Sequence, residues 1–302
     1  MIDELRLNHK LNKILKVAGL SKSTYEYYHS SKHLNSLHNK AIKEDKILSI
    51  IVPIFNHHKS RYGSRRVILD AKDKLKGINH KTIERVMSEN NLKAIQGSNG
   101  KYHSYKGDNG EVKANLLLNK ETVDGKEKLV RHFEADKPNE IWTTDVSEFK
   151  YPSGKLYLSP IFDMYDQSII SYDISTNPDF TQTKRMIDLA FEQYPNLEGL
   201  IFHSDQGWQY QHKTYQKWLK DKGIKQSFSR KGNCMDNSPM ENFFSIMKNE
   251  MYYGYTYNSK EELLTAMKEY ITYYNNERIN IKRKGLSPLA YRLESFNQLS
   301  LA

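Results

Sequence analysis

The sequence has almost no cysteine. Cys234 is the only one in 302 residues, so neither an internal disulfide framework nor a cysteine-rich zinc site can be built. A reducing, cytoplasmic compartment is expected. Long apolar runs are also missing. No stretch approaches the ~20 residues of a membrane-spanning helix, and the opening MIDELRLNHKLNKILKVAGL lacks the apolar core of a secretory signal. No membrane partner is expected. With 27% charged and 38% apolar residues, the composition is that of a globular chain rather than a disordered one.

Excess charge is missing from the second half. Residues 1–136 carry 26 Lys+Arg against 16 Asp+Glu, whereas residues 137–302 carry 20 of each. The whole net charge of +10 therefore lies in the first part. A basic module joined to a neutral one suits a chain that grips a polyanion with one part and does something else with the other. A lysine-rich solvated surface is the plain alternative. The length allows about two domains, each with its own core.

Along the first part, residues 11–28 read as two short helices with a turn at Gly19 and a cap at Ser21. Leu48, Ile51, Val52 and Phe55 recur at helical spacing, as do Val67, Ile68, Ala71 and Leu75 after a break at RYGS, with Ser64 as the expected cap. Asn79 is expected to cap a third helix with Ile83, Val86 and Met87 on one face and His80, Lys81, Glu84 and Arg85 on the other. Three short helices with a basic last one suit a DNA-reading helix-turn-helix; an ordinary three-helix domain with a solvated basic face is the alternative. Residues 97–136 read as a Gly-, Asn- and Lys-rich linker with a short helix near Asn115–Leu118.

From Pro138 the pattern becomes strand-like. IWTTDVSEF, LYLSPIFDMY and SIISYDIS are expected to form an antiparallel meander. TQTKRMIDLAFEQY follows as a helix with Met186, Leu189 and Ala190 facing inward. GLIFHSD is a fourth strand, KTYQKWLKDKG a helix, IKQSFS a fifth strand, and SPMENFFSIMKNEMYY a helix after the loop RKGNCMDN. The order βββ-α-β-α-β-α is that of an α/β, RNase H-like mixed sheet flanked by helices.

Three carboxylates then stand in comparable places. Asp145 lies within the first strand, Asp205 at the end of the fourth, and Glu241 in the first turn of the last helix, with 59 residues between the first two and 35 between the second and third. Adjacent first and fourth strands would join the aspartates, and the helix would bring the glutamate. Clustered hard oxygen ligands suit Mg²⁺, and two such ions can drive an in-line phosphoryl displacement. Each carboxylate also has a plainer reading. Asp145 can be an exposed strand residue and Asp205 a turn former ahead of Gly207. Glu241 can complete a capping box with Ser238, Pro239 sitting at the first helical position.

WTTDVSEF, HSDQGWQY and RKGNCMDNSPMENFFSIMKNE, with these spacings, resemble the DDE integrase core of insertion-sequence transposases. RYGSRRVIL, INHKTIERVMSENNLKA and the C-terminal YYNNERINIKRKGLSPLAYR resemble other parts of the second-frame product of the IS-three family. The resemblance covers nearly the whole chain. It implies a short helical segment (1–40), a DNA-binding helix-turn-helix (41–97), a linker (98–136), an integrase core (137–255) and a helical tail (256–302). It makes Asp145, Asp205 and Glu241 the catalytic and metal-ligating residues, with two Mg²⁺ ions or Mn²⁺ in their place. Lys248, two turns after Glu241, would contact DNA near the cut or be a solvated surface lysine, Asn237 and Asp236 would shape the loop, with Asn237 also a candidate DNA contact, and His203 would position a water or phosphate or pack within its strand. Trp208 and Tyr210 would stack on a base or simply pack. Lys81, Arg85, Arg65 and Arg66 are the expected DNA contacts of the helix-turn-helix.

The implied activity is DNA transposition: cleavage at the element's terminal inverted repeats and transfer of the freed strand to target DNA. The expected partners are DNA, the upstream-frame product and further copies in a multimer on DNA. A single cysteine excludes the zinc-binding module of retroviral integrases. Two other functions remain open on the sequence: a DNA-binding regulator that is inactive without the upstream product, and a nuclease acting on RNA–DNA hybrids.

Overall fold

A computed structural model describes residues 2–95, 112–123 and 126–299. The linker expectation for 98–111 lies outside the described residues. The chain divides into two units, Met1–Ala94 and Ile95–Ala302.

In the first unit, α1 (Ile2–Leu5) precedes α2 (Leu11–Ala18) and α3 (Lys22–Tyr28). Gly19, at φ 63°, ends α2 in the left-handed region where a side chain is costly. Ser21 caps α3 through the Thr24 amide at 3.1 Å. The long α4 (Ser31–His57) departs from expectation, for it runs through the proposed boundary at residue 40. Ser30 caps it through the His33 amide. Its first half leaves Leu34, Leu37 and Ile42 exposed, so no buried stripe marked that half in the sequence. Ile47, Ile51 and Phe55 then bury against Val67 of α5 (Ser64–Asp70) and Ile83, Val86 and Met87 of α6 (His80–Glu89). Asn79 caps α6 as expected, accepting from the Lys81 amide at 2.9 Å. Ser64 is not a cap: Gly63 holds that position without a side-chain bond, and α5 ends at Asp70, so Leu75 is buried by turns rather than by a helix.

The second unit opens with a correction. Where a short helix was expected, residues 112–115 form no regular element and 116–117 a turn, which leads into a hairpin, β1 (Leu118–Val123) paired antiparallel to β2 (Lys126–Arg131). The six-stranded sheet follows: β3 (Ile141–Thr144), β4 (Ser147–Tyr151), β5 (Gly154–Asp163), β6 (Ile169–Ser175), β7 (Ile201–Ser204) and β8 (Lys225–Phe228). Its order is β4-β5-β3-β7-β8, with β6 on the free side of β5; β3, β7 and β8 are parallel and the other pairings antiparallel. IWTTDVSEF is thus two strands rather than one. They part at Asp145, whose Oδ1 takes the Val146 amide at 2.7 Å and removes it from the ladder.

Helices cover both faces of the sheet. α7 (Phe180–Gln193) and α9 (Lys213–Asp221), with the short α8 (Trp208–Gln211) between, bury Met186, Ile187, Ala190, Tyr215 and Leu219 against Trp142, Phe202 and Phe228. Leu189 is half exposed, contrary to its expected inward place. On the other face lies α10 (Ser238–Met247), followed by a π-helical turn (Lys248–Tyr252), then α11 (Lys260–Asn276) and α12 (Pro288–Leu299). Phe243 of α10 meets Phe162 of β5 and Tyr274 of α11.

Residues 256–302 are part of this second unit rather than an appended tail. Asn275 donates to the Ile169 carbonyl and accepts its amide, closing the start of edge strand β6. Arg292, 3% exposed, bonds Asp163 and Asp166 at 3.0 and 2.6 Å. Losing one partner of such a buried pair costs about 3–5 kcal/mol.

Candidate active site

β3 and β7 are neighbouring parallel strands with Thr144 opposite Ser204. Asp145 and Asp205 are the next residues on each, so they leave the sheet side by side from strands about 4.8 Å apart. Asp145 is buried and Asp205 partly so. Both press on the phenol of Tyr210, which is fully buried and lies 3.4 Å from the Thr144 hydroxyl. Burial first, then the two carboxylates, keeps that phenol protonated. Burial also raises the pKa of Asp205, against one opposing bond from the Gly207 amide at 2.9 Å. Gly207 leaves room here: a Cβ would lie 2.8 Å from the end of the Gln209 side chain and 3.0 Å from Asp205 Oδ1.

On the opposite face a polar row crosses three strands at one register, Thr143, His203 and Ser227. It is the seat of the loop before α10. Asn237 accepts from the Thr143 hydroxyl at 2.6 Å and donates to the Thr144 carbonyl at 3.2 Å. His203 bonds Ser227, Ser229 and the Asp236 carbonyl at 2.8, 3.0 and 2.9 Å. Burial lowers its pKa to about 4, so the imidazole is neutral at pH 7.

Asn237 and His203, 4% and 1% exposed, are therefore struts of the site. That burial corrects the DNA contact expected of Asn237 and favours the packed-strand reading of His203. Tyr210, likewise buried, packs rather than stacks on a base, and Trp208 is half-buried at the start of α8.

Asn237 is also the residue preceding α10, so Ser238 is the first helical residue and not its cap. The capping-box reading of Glu241 loses its cap residue. Glu241 is half-buried in the first turn, on a helix packed against β3. Lys248 opens the π-helical turn and places its ammonium 5.0 Å from the centre of the Phe149 ring. Burial lowers its pKa, opposed by the carboxylates of Asp145 and Glu148. The structure thus brings Asp145, Asp205 and Lys248 into one region. Among the described residues, no three His, Cys, Asp or Glu side chains stand together as a ready metal site, so the three-carboxylate cluster is assembled here only as far as the aspartate pair.

In the first unit, Arg85 is engaged with Glu44 at 2.6 Å and Glu89 at 2.5 Å, and the Arg66 guanidinium lies over the Tyr62 ring at 5.6 Å. Both are thus engaged within the first unit, and both are half-buried. Arg65 and Lys81 are exposed. Asp236 went under-read in the sequence. Its carboxylate is fully buried and gathers Arg131, Arg230 and Asn115.

A model described as integrase core domain matches residues 135–234, a second of the same description matches 241–296, and an HTH-like domain model matches 43–98. With the aspartate pair on the mixed sheet, these define an integrase-type enzyme that cuts and transfers DNA strands. The chain is 40% identical over 296 residues to the putative transposase InsK of insertion sequence IS150 from Escherichia coli K12, covering 98% of each chain. It is 48% identical over 222 residues to a transposase-like protein of Haemophilus influenzae, covering 73% of this chain and 95% of that one. The transposase InsF of insertion sequence IS3A from E. coli K12 is 28% identical, covering 84% of this chain and 83% of that one. The chain belongs to the insertion-sequence transposases of the IS-three family. Among solved structures, the HTLV-2 integrase catalytic core domain in complex with magnesium is 18% identical with a TM-score of 0.40, covering 52% of this chain and 98% of that one.

Proposed function

We propose that this chain carries out the cutting and joining steps of transposition of its element. The observation that carries the reading is the pairing of Asp145 and Asp205 at neighbouring strand ends, in a chain of this family. The first unit would bind the terminal inverted repeats, with Arg65 and Lys81 free to reach phosphates. The second would free a 3′ hydroxyl at the element's end and direct it at a phosphate of target DNA. The substrate would be duplex ends in the bacterial cytoplasm, and the working form a multimer that includes the upstream-frame product.

Two buried or partly buried carboxylates side by side repel one another and offer only hard oxygen donors, which fits a divalent cation. Asp145 and Asp205 would hold it, with Glu241 as the third ligand and Mg²⁺, in two ions, or Mn²⁺ as the metal. Such ions, when bound, polarise the attacking hydroxyl and the leaving oxygen. The chain itself does the rest. Asn237 and His203 hold loop and strands in register, Gly207 lets the Asp205 carboxylate fold back, and the Lys248 ammonium beside Asp145 offers positive charge to the incoming phosphate.

The test compares this chain with its Glu241→Gln variant on labelled duplex carrying the terminal repeat, with Mg²⁺, each with and without the upstream product. Strand-specific nicking and joining by the wild type, and binding alone by the variant, support the reading. Binding by both with cutting by neither would make the chain a regulator.

A further inference from the structure

The hairpin upstream of the catalytic sheet does more than connect. The segment leading into it rests on the sheet's outer edge: the Phe228 amide donates to the Ala114 carbonyl at 3.4 Å and the Leu116 amide to the Ser227 hydroxyl at 2.9 Å. Ser227 is the same side chain that holds His203. At the hairpin's end, Arg131, the last residue of β2, returns to the Asp236 carboxylate, its Nε donating to Oδ1 at 2.8 Å across a sequence separation of 105 residues. Asn115 donates to the other oxygen at 3.2 Å.

Asp236 is therefore a junction. Its carboxylate takes Arg230 through the amide, Nε and Nη2 at 3.0, 2.8 and 2.9 Å, and its carbonyl reaches His203. The next residue, Asn237, is bonded to both threonines that precede Asp145. The two guanidiniums override the burial that would otherwise raise the carboxyl's pKa, and hold it well below the usual range. Arg230 alone already neutralises Asp236. The second guanidinium adds a fixed link between hairpin and loop, in a place where both partners are held: Arg131 is 25% exposed and Asp236 not at all.

We propose that Arg131 is a positioning residue for strand cleavage: by clamping Asp236 from the upstream hairpin, it fixes the loop 230–237 that aligns β3, β7 and the start of α10. This rests on the transposase reading above. The rest of the hairpin stands clear of the sheet, with Lys120 and Lys126 exposed, and a two-stranded ribbon is marginal alone. Its base is held by the catalytic loop, and the loop is held by its base.

The test uses the full chain, with the upstream product, on end duplex, as wild type, Arg131→Met and Arg131→Lys. Asp236 keeps Arg230 in both variants, so folding is retained, as near-UV circular dichroism would show. Arg131→Met should cut about tenfold to a hundredfold more slowly, with duplex Kd changed less than about threefold. Hydrogen exchange of residues 230–237 should rise about tenfold with the rest of the sheet unchanged. Arg131→Lys should recover part of the rate. Weaker duplex binding with unchanged rate and exchange would make Arg131 a phosphate contact and overturn the proposal, as would unchanged rate and exchange together. If the wild type itself does not cut, the transposase reading fails, and exchange alone decides on the clamp: an unchanged loop overturns it.

Discussion

Removing Arg278 is expected to be among the most damaging single substitutions outside the aspartate pair, and the reason can be worked from the structure. Glu250 lies in the π-helical turn after α10 and Arg278 just beyond α11, with side chains 9% and 6% exposed. They are joined by bonds of 2.6, 2.8 and 3.1 Å, and the Tyr270 hydroxyl donates to the same carboxylate at 2.9 Å. Arg278→Met removes the guanidinium and leaves the Glu250 charge buried beside the Tyr270 hydroxyl. That costs about 3–5 kcal/mol, a fall in thermal midpoint on the order of 10 °C for a unit of this size. The double variant Glu250→Leu/Arg278→Met removes the charge as well, and should regain all but about 1 kcal/mol for the lost Tyr270 bond. Urea unfolding of the single and double variants measures both. A single-variant loss under about 1 kcal/mol, or a double variant no better than the single, would refute the reasoning. The pair also locks the turn that carries Lys248, so strand cleavage by the single variant should fall further than its binding to duplex.

His203, neutral when buried, should make stability pH-dependent. Its folded pKa lies below its unfolded value, so its contribution is complete above pH 6.5 and lost as the pH falls toward about 4. From pH 7 to 5 the wild type should lose on the order of 2 kcal/mol more than His203→Gln, as paired urea titrations would record. Asn237→Ala strips the Thr144 carbonyl of its partner and should cost about 1–3 kcal/mol, with cleavage reduced more than duplex affinity. Gly207→Ala brings a Cβ to 2.8 Å from the Gln209 side chain and 3.0 Å from Asp205 Oδ1. It should slow cleavage about tenfold or more while the unfolding midpoint barely moves.

Much of this was legible because the deciding signals were local. The caps at Ser21 and Asn79, the αL turn at Gly19 and the strand ending at HSD all depend on a few neighbouring residues. The mixed sheet and the neighbouring of the Asp145 and Asp205 strands followed from the order of strands and helices. What escaped the sequence depends on distant partners. The first strand's break at Asp145 comes from a carboxylate taking its neighbour's amide. The roles of Asn237 and His203 depend on which strands lie beside them, and polar residues flanking a candidate catalytic aspartate look the same whether they face DNA or a neighbouring strand. Arg85 and Arg66 read as a basic face because the sequence does not show their partners: Glu44, which α4 brings to Arg85, and the Tyr62 ring under Arg66. The hairpin, with its charged, exposed strands, carried no apolar alternation to announce it.

The aspartate pair is the centre of this account, and single-turnover cleavage of the end duplex reaches it most directly. Wild type, Asp145→Asn and Asp205→Asn would be compared in Mg²⁺ and in Mn²⁺, with binding of the same duplex measured alongside. Either substitution should reduce the cleavage rate by about a thousandfold or more, with duplex affinity kept within about threefold. Cleavage by either variant at near the wild-type rate would contradict the assignment of the site.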